Sequence, residues 1–387
     1  MDKNSLVALE IIRKHKHASR RDLTREMGLT PAAITKITKK LIEKGYLKEV
    51  GRGKTTGGRP PIILELNSHK GYIIGMYYAP SDVSLILMNL HSEVVYSSKI
   101  HLTKKSKEAI LKESFELVEK AIEHCEGVKI LGIGVALNGL VDYENGISIF
   151  SPHYKWRDFP IKEEMEKRFK IPTVVDNDVR MMALAEREYG GAKDCDNFIM
   201  LNVGDGIGAG IVINGEVFRG STFSAGEIGH IKVNEKGENF CSCGKKGCLE
   251  AEISTKSIMD KIKRELSEDR EKSILSEKIE SGIVFGDVCE SAMRGDFYCL
   301  ELLRYIGNTL AKGLSNVINV INPKLFIING EINKCSEIVF PIIKLGIQKY
   351  SMYTSAKDVE FKSSYFDDGG ASLGAAAMVF RNVFTYN

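Results

Sequence analysis

The chain has 387 residues, too many for a single hydrophobic core, so we expect more than one domain. Its 43% hydrophobic content is that of a globular protein, and no run of eighteen apolar residues or signal-peptide pattern is present. We therefore expect a cytoplasmic protein with no membrane partner. Residues 1–66 carry 15 Lys and Arg against 7 Asp and Glu, whereas the remainder carries 39 against 44. A basic head on an acidic body is typical of a DNA-binding module joined to a ligand-binding domain.

The head has the pattern of a winged helix-turn-helix. Apolar residues share one face of a helix over 3–15, a second helix starts after the N-capping Ser19, and a third starts at Pro31. Two strand-like runs, Tyr46–Val50 and Ile62–Leu66, follow and are joined by a basic, glycine-rich loop. The pattern predicts DNA binding; the alternative is a solvated basic hairpin that has no partner.

The candidate DNA contacts lie on the third helix and in the loop of the wing. Small residues at the start of the helix allow close approach to base edges, and the lysines can reach phosphates. An arginine held between glycine and proline is suited to entering a minor groove. The candidates are Ala32, Ala33, Thr35, Lys36, Lys39, Lys40, Lys54 and Arg59.

The rest of the chain alternates between strands and helices in two similar halves. The first half opens with a three-strand meander over residues 72–100. The second opens with a strand over 197–203, a glycine-dense turn at Gly204–Gly210 and a returning strand at Ile211–Ile213. A small-residue helix over 370–380 ends the chain. The repeated opening predicts a duplicated α/β architecture with its ligand in the cleft between the halves.

One histidine and three cysteines fall within nineteen residues and make a complete tetrahedral ligand set for a structural Zn²⁺. These residues are His230, Cys241, Cys243 and Cys248. Glu227 and Glu250 flank the cluster. A metal that pins two carboxylates creates a rigid set of hydrogen-bond acceptors, which suits a polyhydroxylated ligand.

The other five cysteines stand alone in the sequence. We expect them to be buried thiols in a reducing compartment and expect no disulfide framework. They are Cys125, Cys195, Cys289, Cys299 and Cys335.

Several motifs resemble those of the ROK family of repressors, open reading frames and sugar kinases. They are Gly132–Asp142, Asp176–Asp178, Gly206–Gly210, Glu227–His230 and Cys241–Glu250. The match runs from about residue 70 to the end, and the head adds a resemblance to the family's sugar-repressor branch. The resemblance implies an actin-like (ribonuclease H-like), two-lobed sugar-kinase fold and a structural zinc on the four cluster residues. We expect domains at 1–68, at 69–190 with helix 370–387 packing back, and at 191–369.

The resemblance also implies a set of sugar contacts. These are Asn177, Asp178, Glu227, His230 and Glu250. Asn138 stands near the usual Pro-Gly of the family; it either serves a tight turn or adds a polar contact to the ligand. Asp176–Asp178 taken alone favours a turn and helix N-cap, and only the accompanying Glu227, His230 and Glu250 make a sugar site the better interpretation. A loop at Ser151–Pro160 is expected to close over the cleft, with Trp156 either packing or stacking on the sugar.

The first hairpin turn departs from the family's kinases, which have Asp-x-Gly-Gly-Thr there. The corresponding stretch ends in Tyr77–Asp82, has no glycine pair or threonine, and includes Pro80, which has no N–H to donate. In the second turn, Asp205 stands where threonine is frequent, and a carboxylate repels phosphate. We therefore predict a non-enzyme in which Asp178, the equivalent of the kinase base, only accepts a hydrogen bond from the sugar.

These features together predict a sugar-responsive transcriptional repressor. Its partners would be operator DNA, a monosaccharide and further copies of the chain in a homodimer or homotetramer. One alternative is an active ATP-dependent sugar kinase that carries a DNA-binding head. The other is a metal or redox sensor in which the cysteine cluster is the switch.

Overall fold

The computed structural model describes residues 2–53, 60–103, 106–366 and 369–385. The chain forms two compact units. The first comprises Met1–Met181 and Ala371–Asn387, and the second comprises Met182–Gly370. In the described part of the chain, no helix combines the length and apolarity needed for a membrane span. The three domain boundaries expected above stay a prediction.

The head has the three helices and the wing strands expected from its sequence. Its elements are α1 (Lys3–His15), β1 (Ala18–Ser19), α2 (Arg20–Met27), α3 (Pro31–Glu43), β2 (Leu47–Arg52) and β3 (Ile62–Leu66). Ser19 and Asp22 form a capping box at the start of α2, and Thr30 caps α3 ahead of Pro31. The strands pair antiparallel in the order β1-β3-β2, which completes the winged helix.

The elements of the body follow in chain order, and the chain passes from the first unit to the second within α6. Up to that point they are β4 (Tyr72–Tyr78), β5 (Asp82–Asn89), β6 (Val94–His101), α4 (Lys107–Glu123), β7 (Ile130–Leu137), β8 (Leu140–Asp142), β9 (Ile147–Ser151), β10 (Trp156–Phe159), α5 (Ile161–Phe169), β11 (Thr173–Asn177) and α6 (Asp178–Glu188).

The second unit is richer in helices than its sequence pattern indicated. Its further elements are β12 (Phe198–Val203), β13 (Ile207–Ile213), β14 (Glu216–Phe218), α7 (Leu249–Ile253), α8 (Thr255–Glu268), α9 (Phe285–Met293), α10 (Phe297–Ile321), β15 (Leu325–Asn329), α11 (Ser336–Tyr350), α12 (Tyr353–Ala356) and β16 (Glu360–Ser363). The last helix, α13 (Gly370–Thr385), returns to the first unit.

The two units contain five-stranded sheets of the same topology. In the first, β4, β5 and β6 form an antiparallel meander, and β7 and β11 extend it in parallel. In the second, β12, β13 and β14 form the meander, and β15 and β16 extend it in parallel. Each sheet supplies strands to a core of buried aliphatic and aromatic side chains. The predicted duplicated α/β architecture is therefore confirmed.

Helix α13 packs directly on the sheet of the first unit because glycines on the strands leave room for its backbone. A Cβ added to Gly75 on β4 would lie 2.1 Å from the carbonyl oxygen of Ser372. A Cβ added to Gly134 on β7 would lie 2.0 Å from that of Ala375. The small-residue character of the last helix therefore reflects close helix–sheet packing.

Two local expectations were wrong. The predicted turn Gly204–Gly210 is a turn only at its start, because residues 207–210 pair with β12 as part of β13. The predicted loop Ser151–Pro160 contains β10, which pairs with β9 and buries Trp156 to 3% exposure. Trp156 therefore packs in the core and does not stack on a sugar.

The expectation for the single cysteines was also wrong at two positions. Cys289 on α9 and Cys335, which ends a short 3₁₀ helix before α11, form a disulfide with their Cα atoms 5.3 Å apart. Cys125 and Cys299 are buried free thiols, as expected, and Cys195 is half-buried.

Candidate metal centre and ligand-binding residues

A compact turn of the second unit brings the four predicted metal ligands together. His230 ends a 3₁₀ turn at Ile228–His230, and Cys248 is the N-cap residue of α7. Cys241 and Cys243 lie on the turn between them. A backbone bridge from Lys232 to Cys248 joins the two ends. The chain can close here because Gly247 has a positive φ and approaches Asn234 more closely than a side chain would allow.

The distances fit a tetrahedral metal site. The four potential ligand atoms all lie within 4.8 Å of one another. The Sγ atoms of Cys243 and Cys248 are 3.8 Å apart, and Cys241 Sγ is 3.3 Å from His230 Nδ1. Two thiolates bound to one tetrahedral zinc at about 2.3 Å would be about 3.8 Å apart. This cluster has the residues and the spacing to hold a metal ion.

The protein environment favours protons on two of these thiols. Burial raises the pKa of the Cys241 thiol to about 12 and also raises the pKa of Cys248. Burial alone would raise the pKa of the Cys243 thiol, but hydrogen bonds, first among them the one from the Lys245 backbone N–H, lower this pKa. A bound divalent cation would stabilise all three thiolates and displace the protons.

Glu250 ties the cysteine turn to the glycine turn between β12 and β13. Its Oε2 accepts the backbone N–H of Ile207 at 3.1 Å, and its Oε1 accepts the Ser242 hydroxyl at 2.6 Å. Glu250 Oε1 also lies 3.5 Å from Cys241 Sγ. The carboxylate is thus held in one orientation beside the metal cluster.

His230 presents its two ring nitrogens to different partners. Nδ1 faces Cys241, whereas Nε2 lies 3.6 Å from Oε2 of Glu227. A histidine that binds a metal through one nitrogen carries its proton on the other, and a carboxylate there fixes the ring. Glu227 and Glu250 therefore both lie beside the cluster to which His230 belongs.

The other three predicted sugar contacts gather at one edge of the sheet in the first unit. Strands β7 and β11 are parallel with Leu137 opposite Asn177, so Asn138 and Asp178 both follow at the same edge. The Asn177 side chain donates to the carbonyl oxygen of Gly139 at 3.0 Å. Asn138 Oδ1 is buried and has no hydrogen-bond partner among the described residues.

Asn177 also performs the capping role that the sequence left open. Its Oδ1 accepts the N–H groups of Val179 and Arg180 at 3.0 and 3.2 Å, at the start of α6. Asp178 is 4% exposed, and its Oδ1 accepts from the Asn177 amide and from the Val179 N–H. Helix capping therefore fixes the side chains of this motif.

The candidate DNA contacts on α3 lie mainly at its surface. Ala32, Thr35, Lys36, Lys39 and Lys40 are exposed, and Ala33 is half-buried. Lys40 forms an ion pair with Asp2, the N-cap of α1, at 2.7 Å. The other two candidates, Lys54 and Arg59, lie outside the described residues.

Sequence reasoning missed Ser242 and Glu252. Ser242 holds Glu250, and its position between two cysteines was the available signal. Glu252 is 8% exposed and accepts hydrogen bonds from the Asn234 amide and the Tyr305 hydroxyl. These bonds fix the position of α7. Nothing in the sequence pairs Glu252 with residues this distant.

The ROK family model matches residues 74–382, and a model described as winged helix-turn-helix DNA-binding matches residues 1–48. The chain is 31% identical over 386 residues to a putative xylose repressor of Caldicellulosiruptor sp. (strain Rt8B.4), covering 99% of this chain and 96% of the relative. It is 31% identical over 385 residues to an N-acetylglucosamine repressor of Escherichia coli O6:H1, covering 98% and 92%.

A solved structure resembles the chain over nearly its whole length. It is a ROK family transcriptional regulator described as a homologue of the E. coli MLC protein, with a TM-score of 0.87 and 29% sequence identity. The match covers 98% of this chain and 96% of that one.

A winged helix joined to this duplicated α/β fold defines a DNA-binding transcriptional regulator. The chain belongs to the ROK family. The predicted fold class is thereby confirmed, and so is the predicted family.

Proposed function

We propose that the chain is a sugar-responsive transcriptional repressor that binds a monosaccharide without phosphorylating it. The observation that carries the proposal is that the chain has fixed carboxylate and amide acceptors, whereas its first hairpin turn is poorly suited to binding phosphate. The names of the relatives, a putative xylose repressor and an N-acetylglucosamine repressor, support a monosaccharide as the ligand.

The first hairpin turn has few groups to offer a nucleotide. The Ala79 N–H already donates to the Asp82 carbonyl at 2.9 Å, and Pro80 has no N–H. The Tyr154 hydroxyl donates to the Ala79 carbonyl oxygen and braces the turn. Tyr78 is fully buried against Tyr154. Phosphate sites in kinases depend on backbone N–H groups that converge on the ligand, so this turn favours a non-enzyme.

One predicted sugar contact has an acceptor to spare. Asn138 Oδ1 is buried without a partner, which favours the ligand-contact reading over a purely local turn. His230 was assigned to both metal and sugar, and its two nitrogens make these roles compatible. Nδ1 would bind the metal and the Nε2–H would donate to a sugar hydroxyl or to Glu227.

The metal's role in this proposal is to fix Glu250. We propose that the metal is zinc, because one imidazole and three thiolates are a closed, structural zinc ligand set. A closed set leaves no open coordination position, so the metal would contribute rigidity and no chemistry. This argues against the alternative in which the cluster itself senses metal or oxidant.

The repressor would act as a homodimer or homotetramer on a roughly palindromic operator. Exposed apolar side chains near the ends of helices in the second unit support self-association. They are Val320, Leu345, Met352 and Tyr353, each more than 60% exposed. Sugar would release DNA only if it binds the DNA-incompetent arrangement more tightly.

Two assays on the purified full-length protein test the proposal. A thermal-shift screen with a monosaccharide panel should raise the melting temperature with at least one sugar, because a ligand of the folded state stabilises it. A coupled assay with ATP and the same panel should detect no phosphoryl transfer. Robust phosphorylation would establish the kinase alternative. Operator affinity that follows zinc or oxidant and ignores every sugar would establish the sensor alternative.

A further inference from the structure

A cavity of about 740 Å³ lies in the first unit where the winged-helix head meets the body. The head contributes Lys44 and Tyr46, which follow α3 directly, and the segment between β3 and β4 contributes Lys70. The body contributes Lys129, just before β7, and Lys162 on α5. The cavity is therefore built from both functional parts of the regulator, and none of the predicted sugar contacts lines it.

The cavity concentrates positive charge that the protein leaves uncompensated. Four lysines line it, and Glu166 is the single acidic residue among the lining residues that the structure describes. Glu166 Oε1 is already occupied by the backbone N–H of Thr173 at 2.9 Å. Across the described ranges, none of the four lysines has a carboxylate within ion-pair distance. Clustered cations in a concave site attract anions and raise their local concentration.

The floor of the cavity is apolar. Leu131 and Val174 lie on neighbouring strands β7 and β11, Val379 lies on α13, and Pro172 completes this surface. Tyr46 adds an aromatic ring beneath Lys70, whose Nζ is 5.5 Å from the ring centroid. Cavities that bind small organic molecules span about 300–1,000 Å³, so this one is larger than an inorganic anion needs.

We propose that this cavity binds an organic phosphate, with its phosphate on the lysines and its organic part on the apolar floor. Lysine ammonium groups are common point-charge partners of phosphate. Because the walls come from the head and the body, an occupant joins Lys44 to Lys129 and Lys162 and restrains the head. The structure thus contains a second effector site, and it does not depend on the identity of the sugar.

The test uses phenyl phosphate as the probe, because it carries a phosphate and an apolar ring but no sugar hydroxyl. Isothermal titration calorimetry on the full-length protein compares the wild type with Lys129→Gln/Lys162→Gln. The matched control is Lys112→Gln/Lys120→Gln, which removes the same charge from exposed positions on α4 of the same unit. Thermal melting verifies that each variant is folded.

We expect phenyl phosphate to bind the wild type and the control with equal affinity. Its affinity for the cavity variant should be lower by a factor of about ten or more, since charged hydrogen bonds are lost. Lys44→Gln on the head should also weaken binding. Equal binding to all variants would overturn the proposal, as would inorganic phosphate binding as tightly as phenyl phosphate. It would also fail if phenyl phosphate did not bind while the cavity variant lost DNA affinity, because the lysines would then contact the DNA backbone.

Discussion

The replacement Cys248→Ser tests whether the metal cluster positions a sugar contact. Cys248 is 2% exposed and its Sγ is 3.8 Å from that of Cys243, so serine removes one ligand from the interior of the cluster. Without metal the Cys241–Cys243 turn is released, and Glu250 loses the Ser242 hydroxyl that holds its Oε1 at 2.6 Å. A charge-assisted hydrogen bond from Glu250 to a sugar hydroxyl is worth about 1.5–3 kcal/mol. We therefore expect sugar affinity to fall about 10- to 150-fold.

The assay combines metal analysis of the purified protein with calorimetric titration of whichever monosaccharide stabilises the wild type. The matched control is Cys195→Ser, a half-buried thiol outside the cluster. Wild type and control should carry one zinc per chain and bind sugar equally, whereas the cluster variant should lose both properties. A cluster variant that lacks metal yet binds sugar at wild-type strength would show that the metal does not position Glu250.

Three further predictions follow from named contacts. Asp296 caps α10 and accepts the N–H groups of Cys299 and Ile274 and the Ser273 hydroxyl, so Asp296→Ala should lower the free energy of unfolding by about 2–4 kcal/mol in urea titrations. Asp296→Asn, which keeps one acceptor, should cost less; equal losses would contradict the capping account. Although burial opposes the change, these hydrogen bonds lower the pKa of Asp296. The contribution of the ionised Asp296 to the free energy of unfolding should therefore be complete above about pH 4. It should be lost as the pH falls through the lower folded-state pKa, and urea titrations between pH 7 and 3 can follow this loss. Lys36→Gln should weaken DNA binding for every sequence and reduce the salt slope by about one, measured by anisotropy, whereas Lys14→Gln on α1 should do neither.

The head was largely predictable because its signals are local. Ser19 and Asp22 form the capping box that starts α2, and Pro31 occupies the first position of α3, as the sequence indicated. Such signals act within four residues of chain and need no tertiary context. The candidate metal site was predictable for a similar reason, since its four potential ligands and their glycines lie within nineteen residues.

The failures arose where distant residues decide the structure. The glycine run continues as strand β13 because it pairs with β12 and because Gly226 and Gly229 let a second chain segment approach its backbone. The Cys289–Cys335 disulfide joins residues 46 apart, and no spacing rule connects them. In the candidate site, the sequence predicted the acceptors but not what holds them. The Ser242 and Ile207 contacts of Glu250 depend on the folded turn alone.

In the proposed function, a sugar bound by Asp178 and the other predicted contacts controls DNA binding without being phosphorylated. Fluorescence anisotropy tests it most directly, with full-length protein on a DNA fragment selected from a random pool and titrated with the stabilising monosaccharide and no nucleotide. We expect sugar to change the DNA affinity of the wild type and of an Asp194→Asn control, and we expect Asp178→Asn to abolish the response while retaining DNA binding. A response that requires ATP, or one that Asp178→Asn leaves intact, would contradict it.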